Sequence, residues 1–89
     1  MRRYNLLVRD LLRDSIQGYR KSQSYTQEAM AEKLRLSPRS YADQEHGEYG
    51  FSATSLLFFM SLLPEREKLE LIREFERLVE EEEGNGHVA

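Results

Sequence analysis

The stretch that decides the fold runs from Thr26 to Gly47 and reads TQEAMAEKLRLSPRSYADQEHG. Its first half predicts a short amphipathic helix, because Ala29, Met30 and Leu34 fall at positions i, i+1 and i+5. Ala29 is small enough to let a second helix approach closely. The pattern therefore predicts a short helix that packs tightly against a neighbour.

The second half of this stretch carries the signals that start and stop a helix. Ser37 is a natural N-cap, Pro38 suits the first helical position, and Gly47 suits the position just past a helix end. These signals predict a second short helix from about Pro38 to His46. Two helices joined by about three residues form a helix-turn-helix.

Apolar periodicity on either side of this stretch predicts three further helices. A first helix from about Tyr4 to Lys21 has apolar residues at steps of three and four. Ser52 caps a fourth helix over 53–62, the predicted core helix, and Pro64 begins a fifth that reaches about residue 82. The apolar residues of the fourth segment are Leu56, Leu57, Phe59, Met60 and Leu63. Since no segment alternates with period two over the length of a strand, the chain is predicted to be all-α.

Length and composition indicate one domain. The chain has 89 residues, 39% of them hydrophobic, enough to bury a core without disulfide or metal staples. We expect the domain to cover 1–83 and a flexible tail to cover 84–89. The absence of cysteine fits a reducing cytoplasm. The longest apolar run, Leu56 to Met60, falls far short of the roughly 20 residues that cross a bilayer, so we expect a soluble, cytoplasmic protein.

Charge is distributed unevenly along the chain. Residues 1–42 hold nine Arg or Lys against four Asp or Glu, and residues 43–89 hold four against twelve, which together give the net charge of -3. A basic N-terminal half suits a polyanion, and an acidic half would face away from it. The alternative is that long solvated helices simply carry many charges.

A family resemblance covers about half of the chain, from Ile16 to Leu63. The residues that carry it are Ile16, Tyr19, Arg20, 26–28, 31–34, Ser37, Tyr41, Glu45, Gly47 and 52–63. In this set the chain resembles the phage-repressor-like helix-turn-helix family, also called the Cro or XRE family of DNA-binding domains. The resemblance implies a five-helix, lambda-repressor-like bundle whose third helix lies in the DNA major groove. The fifth helix, about 64–82, extends beyond the family core.

The resemblance also implies roles for individual residues. Arg20 and Glu45 match an arginine and a glutamate that pair in the family and pin the recognition helix to the scaffold; the alternative is two independent surface charges. Arg39 is the best candidate for base readout, because its planar fork suits guanine O6 and N7. The full set of implied DNA contacts is Gln27, Pro38, Arg39, Ser40, Ala42, Asp43 and His46. Within it Gln27 and Ser40 would contact phosphates, and His46 would cap the helix or reach a phosphate.

Other features oppose DNA binding. A carboxylate at Asp43 repels phosphates, although it can accept from cytosine N4. Gln44 stands where relatives usually have an apolar residue. Residues 27–48 hold three basic and five acidic side chains, so the motif lacks the excess of positive charge that attracts DNA.

We expect phosphate contacts from outside the motif, at Arg2, Arg3, Arg9, Arg13, Lys21 and Arg35.

The fifth helix carries a stripe typical of a dimer interface. Leu69, Ile72, Phe75 and Val79 step by three, three and four residues, close to a coiled-coil seam. We expect a two-fold homodimer formed mainly by this stripe, with Tyr4, Leu7 and Leu11 as further candidates. Paired recognition helices would then read half-sites about one DNA turn apart.

No pattern for catalysis, metal or cofactor binding is present. The two histidines lie far apart, and the chain has no Gly-rich phosphate loop and no Ser-His-Asp set. The leading expectation is a transcriptional regulator that binds double-stranded DNA and is not an enzyme. The alternative is a protein-interaction module or antitoxin-like adaptor on the same fold, with a protein partner on its acidic C-terminal half.

Overall fold

The computed structural model describes residues 2–86, and over that range the chain is entirely helical apart from its turns. The five helices are α1 (Arg2–Ser22), α2 (Gln27–Lys33), α3 (Pro38–Glu45), α4 (Ala53–Leu62) and α5 (Glu65–Gly86). The predicted all-α class and the five helices are therefore confirmed. None of the helices in this range is long and apolar enough to cross a membrane.

Hydroxyl caps start the three middle helices. The side-chain oxygens of Thr26, Ser37 and Ser52 each accept the backbone N–H of the residue three positions further on. Such a cap pairs one of the N–H groups that the first turn of a helix leaves without a partner. The carbonyl of Pro64 likewise accepts the first backbone bonds of α5. The first three starts lie where the sequence places them, and α5 begins one residue after the predicted Pro64.

The ends of α1, α2 and α3 share one backbone motif. Past each helix a residue with positive φ follows: Ser24 at 59°, Arg35 at 63° and Gly47 at 86°. At each end two N–H groups return to helix carbonyls, as in Tyr25 to Arg20 and Ser24 to Lys21. This is the Schellman arrangement, in which glycine is the residue with least strain. Only the third of the three ends has glycine.

The two long helices lie antiparallel, with the start of α1 beside the end of α5. The Tyr4 hydroxyl donates to Glu83 at 2.7 Å, and Arg3 lies 3.7 Å from Glu82. These contacts hold the start of α1 against the end of α5. They give a physical reason why α1 begins two residues before, and α5 ends four residues after, the bounds that periodicity predicts.

This longer α5 overlaps the predicted tail. Residues 84–86 belong to the helix, and His87, Val88 and Ala89 lie outside the described residues. The flexibility of 84–89 stays a prediction, but its first three positions continue the helix through Gly84. Helix-forming glutamates precede it, and the contacts with α1 offset the cost of glycine.

The core lies where α1, α2, α3 and α4 meet. Its buried apolar residues are Leu12, Ile16, Met30, Ala31, Leu34, Tyr41, Phe59 and Leu63. Ala31, not Ala29, is the fully buried small residue of α2. Leu57, predicted to lie in the core, is 69% exposed. Because α4 is apolar on nearly every side, its sequence did not show which face is inward.

Replacement of Ser24 by glycine tests the strain at the end of α1. Serine pays a steric cost for positive φ that glycine does not, so Ser24→Gly should raise the free energy of unfolding by about 1 kcal/mol. Ser24→Ala keeps the β-carbon and should give no gain. Urea denaturation monitored by circular dichroism measures both, and equal stability of the two variants would contradict the assignment.

Candidate nucleic-acid interface

A single carboxylate, Glu45 in α3, joins three helices. Arg20 of α1 donates through Nε to Oε2 at 2.8 Å and through Nη2 to Oε1 at 3.1 Å. Gln27 of α2 donates its amide to Oε1 at 2.7 Å, and the hydroxyl of Tyr41 in α3 donates to Oε2. The Glu45 side chain is only 3% exposed, and that of Arg20 15%. The predicted pairing of Arg20 with Glu45 is therefore present, in a buried bidentate form.

The ionised form of Glu45 is favoured despite its burial. Burial alone raises the pKa of this carboxyl, but the hydrogen bonds from Arg20, Tyr41 and Gln27 outweigh it and hold the pKa below its ordinary value. The hydrogen bond to Glu45 raises the pKa of Arg20. Burial, and then the bond to Glu45, raise the pKa of Tyr41. The four groups thus hold one negative and one positive charge at neutral pH.

Arg20 extends this network into the backbone. Its Nη1 donates to the carbonyl of Tyr25 at 3.1 Å, in the turn that precedes α2. One guanidinium therefore contacts the end of α1, the turn before α2 and the end of α3. Arg20 and Glu45 position α3 and are not themselves on its exposed face.

A second arginine of α1 holds the turn that follows α3. Arg9 donates to the carbonyl of Gly47. Arg13 lies so close to this glycine that a β-carbon there would be 3.0 Å from Nη1. The φ of 86° explains why residue 47 is glycine, because a β-carbon there would strain the backbone, whereas the end of the Arg13 side chain can move aside.

The amino-terminal half of α3 is open to solvent. Pro38, Arg39 and Ser40 are exposed, as is His46 at the other end, while Ala42 and Asp43 are half-buried. Within residues 2–86 the guanidinium of Arg39 has no ion-pair partner. The structure therefore gathers Pro38, Arg39 and Ser40, which sequence reasoning picked, on one exposed end of α3.

Two predicted phosphate contacts have partners within the protein. Gln27 uses its amide nitrogen on Glu45, so this side chain serves the network that positions α3. The Ser40 hydroxyl accepts from Ser37 at 3.0 Å, and the Ser40 backbone N–H donates to the same residue. His46 is the C-cap of α3 and lies just past the helix, which ends one residue earlier than predicted.

Most of the predicted basic contacts outside the motif are also occupied. Arg3 lies beside Glu82, Arg9 binds the Gly47 carbonyl, and Arg13 lies within 3.5 Å of Asp10 and Asp14. Arg35 has partners within the chain as well.

Arg35 belongs to the turn between α2 and α3. Its guanidinium lies 4.5 Å above the ring of Phe58 in α4 and donates to the carbonyl of Lys33 at 2.9 Å. Lys21 is exposed, and the Arg2 side chain lies outside the described part of the chain. The sequence did not show the uses of Arg3, Arg9 and Arg35 because each depends on a residue distant along the chain or on a backbone carbonyl. The pairs of Arg13 are local, within α1.

Gln44 differs from its neighbours in having an unsatisfied polar atom. Its Oε1 is buried and has no hydrogen-bond partner among the described residues. An unpaired buried acceptor costs stability. The amide oxygen of Gln44 therefore lowers the stability of the packing around α3.

The predicted dimer stripe divides between an exposed and a half-buried part. Leu69 is 56% and Ile72 49% exposed, while Phe75 and Val79 are half-buried. Ile72 and Phe75 line an apolar groove of about 330 Å³ between α1, α4 and α5. Exposed Leu57 lines the same groove, and sequence reasoning missed it because it assigned this residue to the core.

The further dimer candidates on α1 face α5 of the same chain. Leu7 and Leu11 line a groove together with Leu78 of α5, and the Tyr4 hydroxyl binds Glu83. These three side chains thus lie beside α5 of the same chain, and their role in a dimer stays a prediction.

Metal chemistry finds no support in the described range, which holds no group of three or more His, Cys, Asp or Glu side chains placed to bind an ion. Comparisons of the chain with models of protein families, with curated proteins and with solved structures found no match.

Removal of the central carboxylate should destabilise the whole bundle. Glu45→Ala leaves the Arg20 charge without its partner and removes the acceptor of two further donors, so we expect the free energy of unfolding to fall by about 3 kcal/mol. Glu48→Ala removes an exposed carboxylate three residues further on, past the end of α3, and should change the free energy of unfolding by less than about 0.5 kcal/mol. Urea denaturation measures both. A loss below about 0.5 kcal/mol for Glu45→Ala would contradict a buried pair.

The same carboxylate should make stability depend on pH. Since folding lowers the pKa of Glu45 from 4.5, its contribution is complete above that value and is lost as the pH falls through the folded-state pKa. Glu45→Gln has no such titration. The difference in unfolding free energy between wild type and Glu45→Gln should be constant near neutral pH and shrink in acid. Parallel pH profiles would contradict the lowered pKa.

Proposed function

We propose that the chain is a cytoplasmic, sequence-specific DNA-binding transcriptional regulator on a lambda-repressor-like bundle, with α2 and α3 as its helix-turn-helix. The observation that carries this proposal is the contrast between the two ends of α3. Its carboxyl end is held by Arg20, Gln27 and Tyr41 through Glu45, while its amino end presents Arg39 to solvent. A recognition helix needs this combination of a rigid base and an exposed tip.

Arg39 supplies the base contact in this proposal. A guanidinium that no carboxylate holds is free to bond guanine O6 and N7 together in the major groove. The neighbouring backbone N–H groups at the start of α3 favour an anion such as a phosphate. Asp43, half-buried one turn further along, would accept from cytosine N4.

Electrostatics set the strength of this binding. Because Arg3, Arg9, Arg13 and Arg35 have partners within the chain, few basic groups are left for phosphates. One domain would therefore bind DNA weakly. A homodimer that engages two half-sites would supply the missing affinity through the linked second contact.

The second candidate function is a protein-interaction module, for example an antitoxin-like adaptor. The observation that favours it is the same shortage of free cations, together with the carboxylates on α5 and at Asp43. On this alternative the acidic C-terminal half binds a protein and the fold has little affinity for DNA.

Binding to a duplex library separates the two functions. Duplexes enriched from a random library at low salt are labelled, and their affinity is measured by fluorescence anisotropy at low and high salt. The regulator predicts a sequence preference, an affinity that falls steeply with salt, and a loss of about tenfold or more for Arg39→Ala. Enrichment of no sequence at low salt would instead support the interaction module.

Two variants assign the loss to base readout. Arg39→Lys keeps the positive charge but not the planar guanidinium with its paired donors. DNA binding by this variant should therefore retain the salt dependence and lose the sequence preference. Arg66→Ala removes an arginine whose side chain is 88% exposed on α5 and should leave binding unchanged. If Arg66→Ala weakens binding as much as Arg39→Ala, general charge and not α3 drives the interaction.

A further inference from the structure

One face of α5 combines exposed apolar residues with charges that have no partner in the chain. Residues 68, 69, 72, 75, 76 and 79 recur at steps of three and four and therefore share one face of the helix. Leu69 and Ile72 lie at its centre and are 56% and 49% exposed. This face continues into the apolar groove that Leu57 lines.

Two opposite charges flank this apolar centre. Lys68 lies one turn before Ile72 and Glu76 one turn after it, and neither makes an ion pair with any residue of the range 2–86. Elsewhere on α5, Arg66 pairs with Glu70, and Arg77 pairs with Glu74 and Glu81, while Glu65, Glu67, Arg73 and Glu80 make no ion pair in that range. On the face around Ile72, Lys68 and Glu76 thus carry opposite charges at equal distances from the centre, and Glu65 lies two turns before Ile72.

We propose that this face binds the same face of a second copy of the chain, with the two α5 helices antiparallel and the two-fold axis at Ile72. In this register Ile72 meets its symmetry mate, and Lys68 of each chain lies opposite Glu76 of the other. Leu69 likewise lies opposite Phe75. A two-fold interface requires such self-complementarity, because the same patch serves both partners.

Neighbouring registers are worse by charge. An axis half a turn nearer the start of α5 brings Lys68 opposite Arg73 and Glu65 opposite Glu76, which are like charges. An axis half a turn nearer the end puts Glu76 against Ile72 and so buries a carboxylate without a partner. A parallel pair would set Lys68 against Lys68. The axis at Ile72 pairs Lys68 with Glu76 and keeps an apolar partner opposite Ile72. In this register Glu65, exposed in the single chain, lies opposite Val79, farthest from the axis.

Single-cysteine variants test the axis. The natural chain has no cysteine, so Ile72→Cys introduces the only thiol. Helices that pack about 8–10 Å apart bring facing Cα atoms within disulfide range, and a residue on the axis faces itself. We expect Ile72→Cys to form a covalent dimer under mild oxidation at micromolar concentration. Glu70→Cys, exposed on another face of the same helix, should form much less.

Charge reversal tests the register. Lys68→Glu or Glu76→Lys turns both symmetric contacts repulsive, so each should raise the dimer dissociation constant about tenfold in sedimentation at low salt. The double variant Lys68→Glu with Glu76→Lys restores opposite charges and should restore the dimer. Circular dichroism checks that each variant keeps its helix content.

Three results would overturn the proposal. The first is a wild-type monomer at micromolar concentration, the second is equal cross-linking of Ile72→Cys and Glu70→Cys, and the third is a double variant as weak as the single ones. The inference deepens the proposed function, which uses a dimer to reach two half-sites. All three measurements are made without DNA, so a chain that dimerises through this face but selects no duplex would reject the regulator and keep the interface.

Discussion

The bundle depends on one buried carboxylate that three donors from three helices share. Arg20, Gln27 and Tyr41 are far apart in the sequence and meet only at Glu45, so the network forms only when α1, α2 and α3 are all in place. A buried charge is costly unless its partners satisfy it. This makes the position of α3 nearly all-or-none: a small shift of the helix would leave charges buried without partners. The chain thus gains a defined placement for the helix that presents Arg39.

Helix starts were the most predictable part of the fold, and the uses of charged side chains were the least. The caps Thr26, Ser37 and Ser52 act through their own backbone within three residues, which a sequence pattern can show. The pairing of Arg20 with Glu45 was also predictable, but only because a family resemblance supplied the long-range information. Gln27 as a third donor was not, since nothing local indicates that a helix-start amide turns inward.

Burial on α4 and the length of α5 show the same limit. Periodicity locates a buried face only where polar residues mark the opposite one, and α4 has too few of them to exclude Leu57 from the core. The end of α5 depends on contacts with Arg3 and Tyr4 at the other end of the chain. For the candidate interface, the exposed residues of α3 follow from local spacing. The contacts of Arg9 with Gly47 and of Arg35 with Phe58 depend on the assembled fold, whereas Arg13 pairs within its own helix.

The helices α1, α2 and α3 each end with a residue in the left-handed region. The turns that connect α1 to α2 and α2 to α3 therefore have fixed lengths. Each turn uses a set number of residues, because its two backbone bonds span fixed intervals from carbonyl to N–H. A residue gained in the first turn of α3 would rotate Arg39 by about 100° relative to Tyr41, away from the face it now occupies. Natural variation in chain length should therefore collect in the loop after Gly47 and beyond α5, and spare the stretch from Ser24 to Glu45.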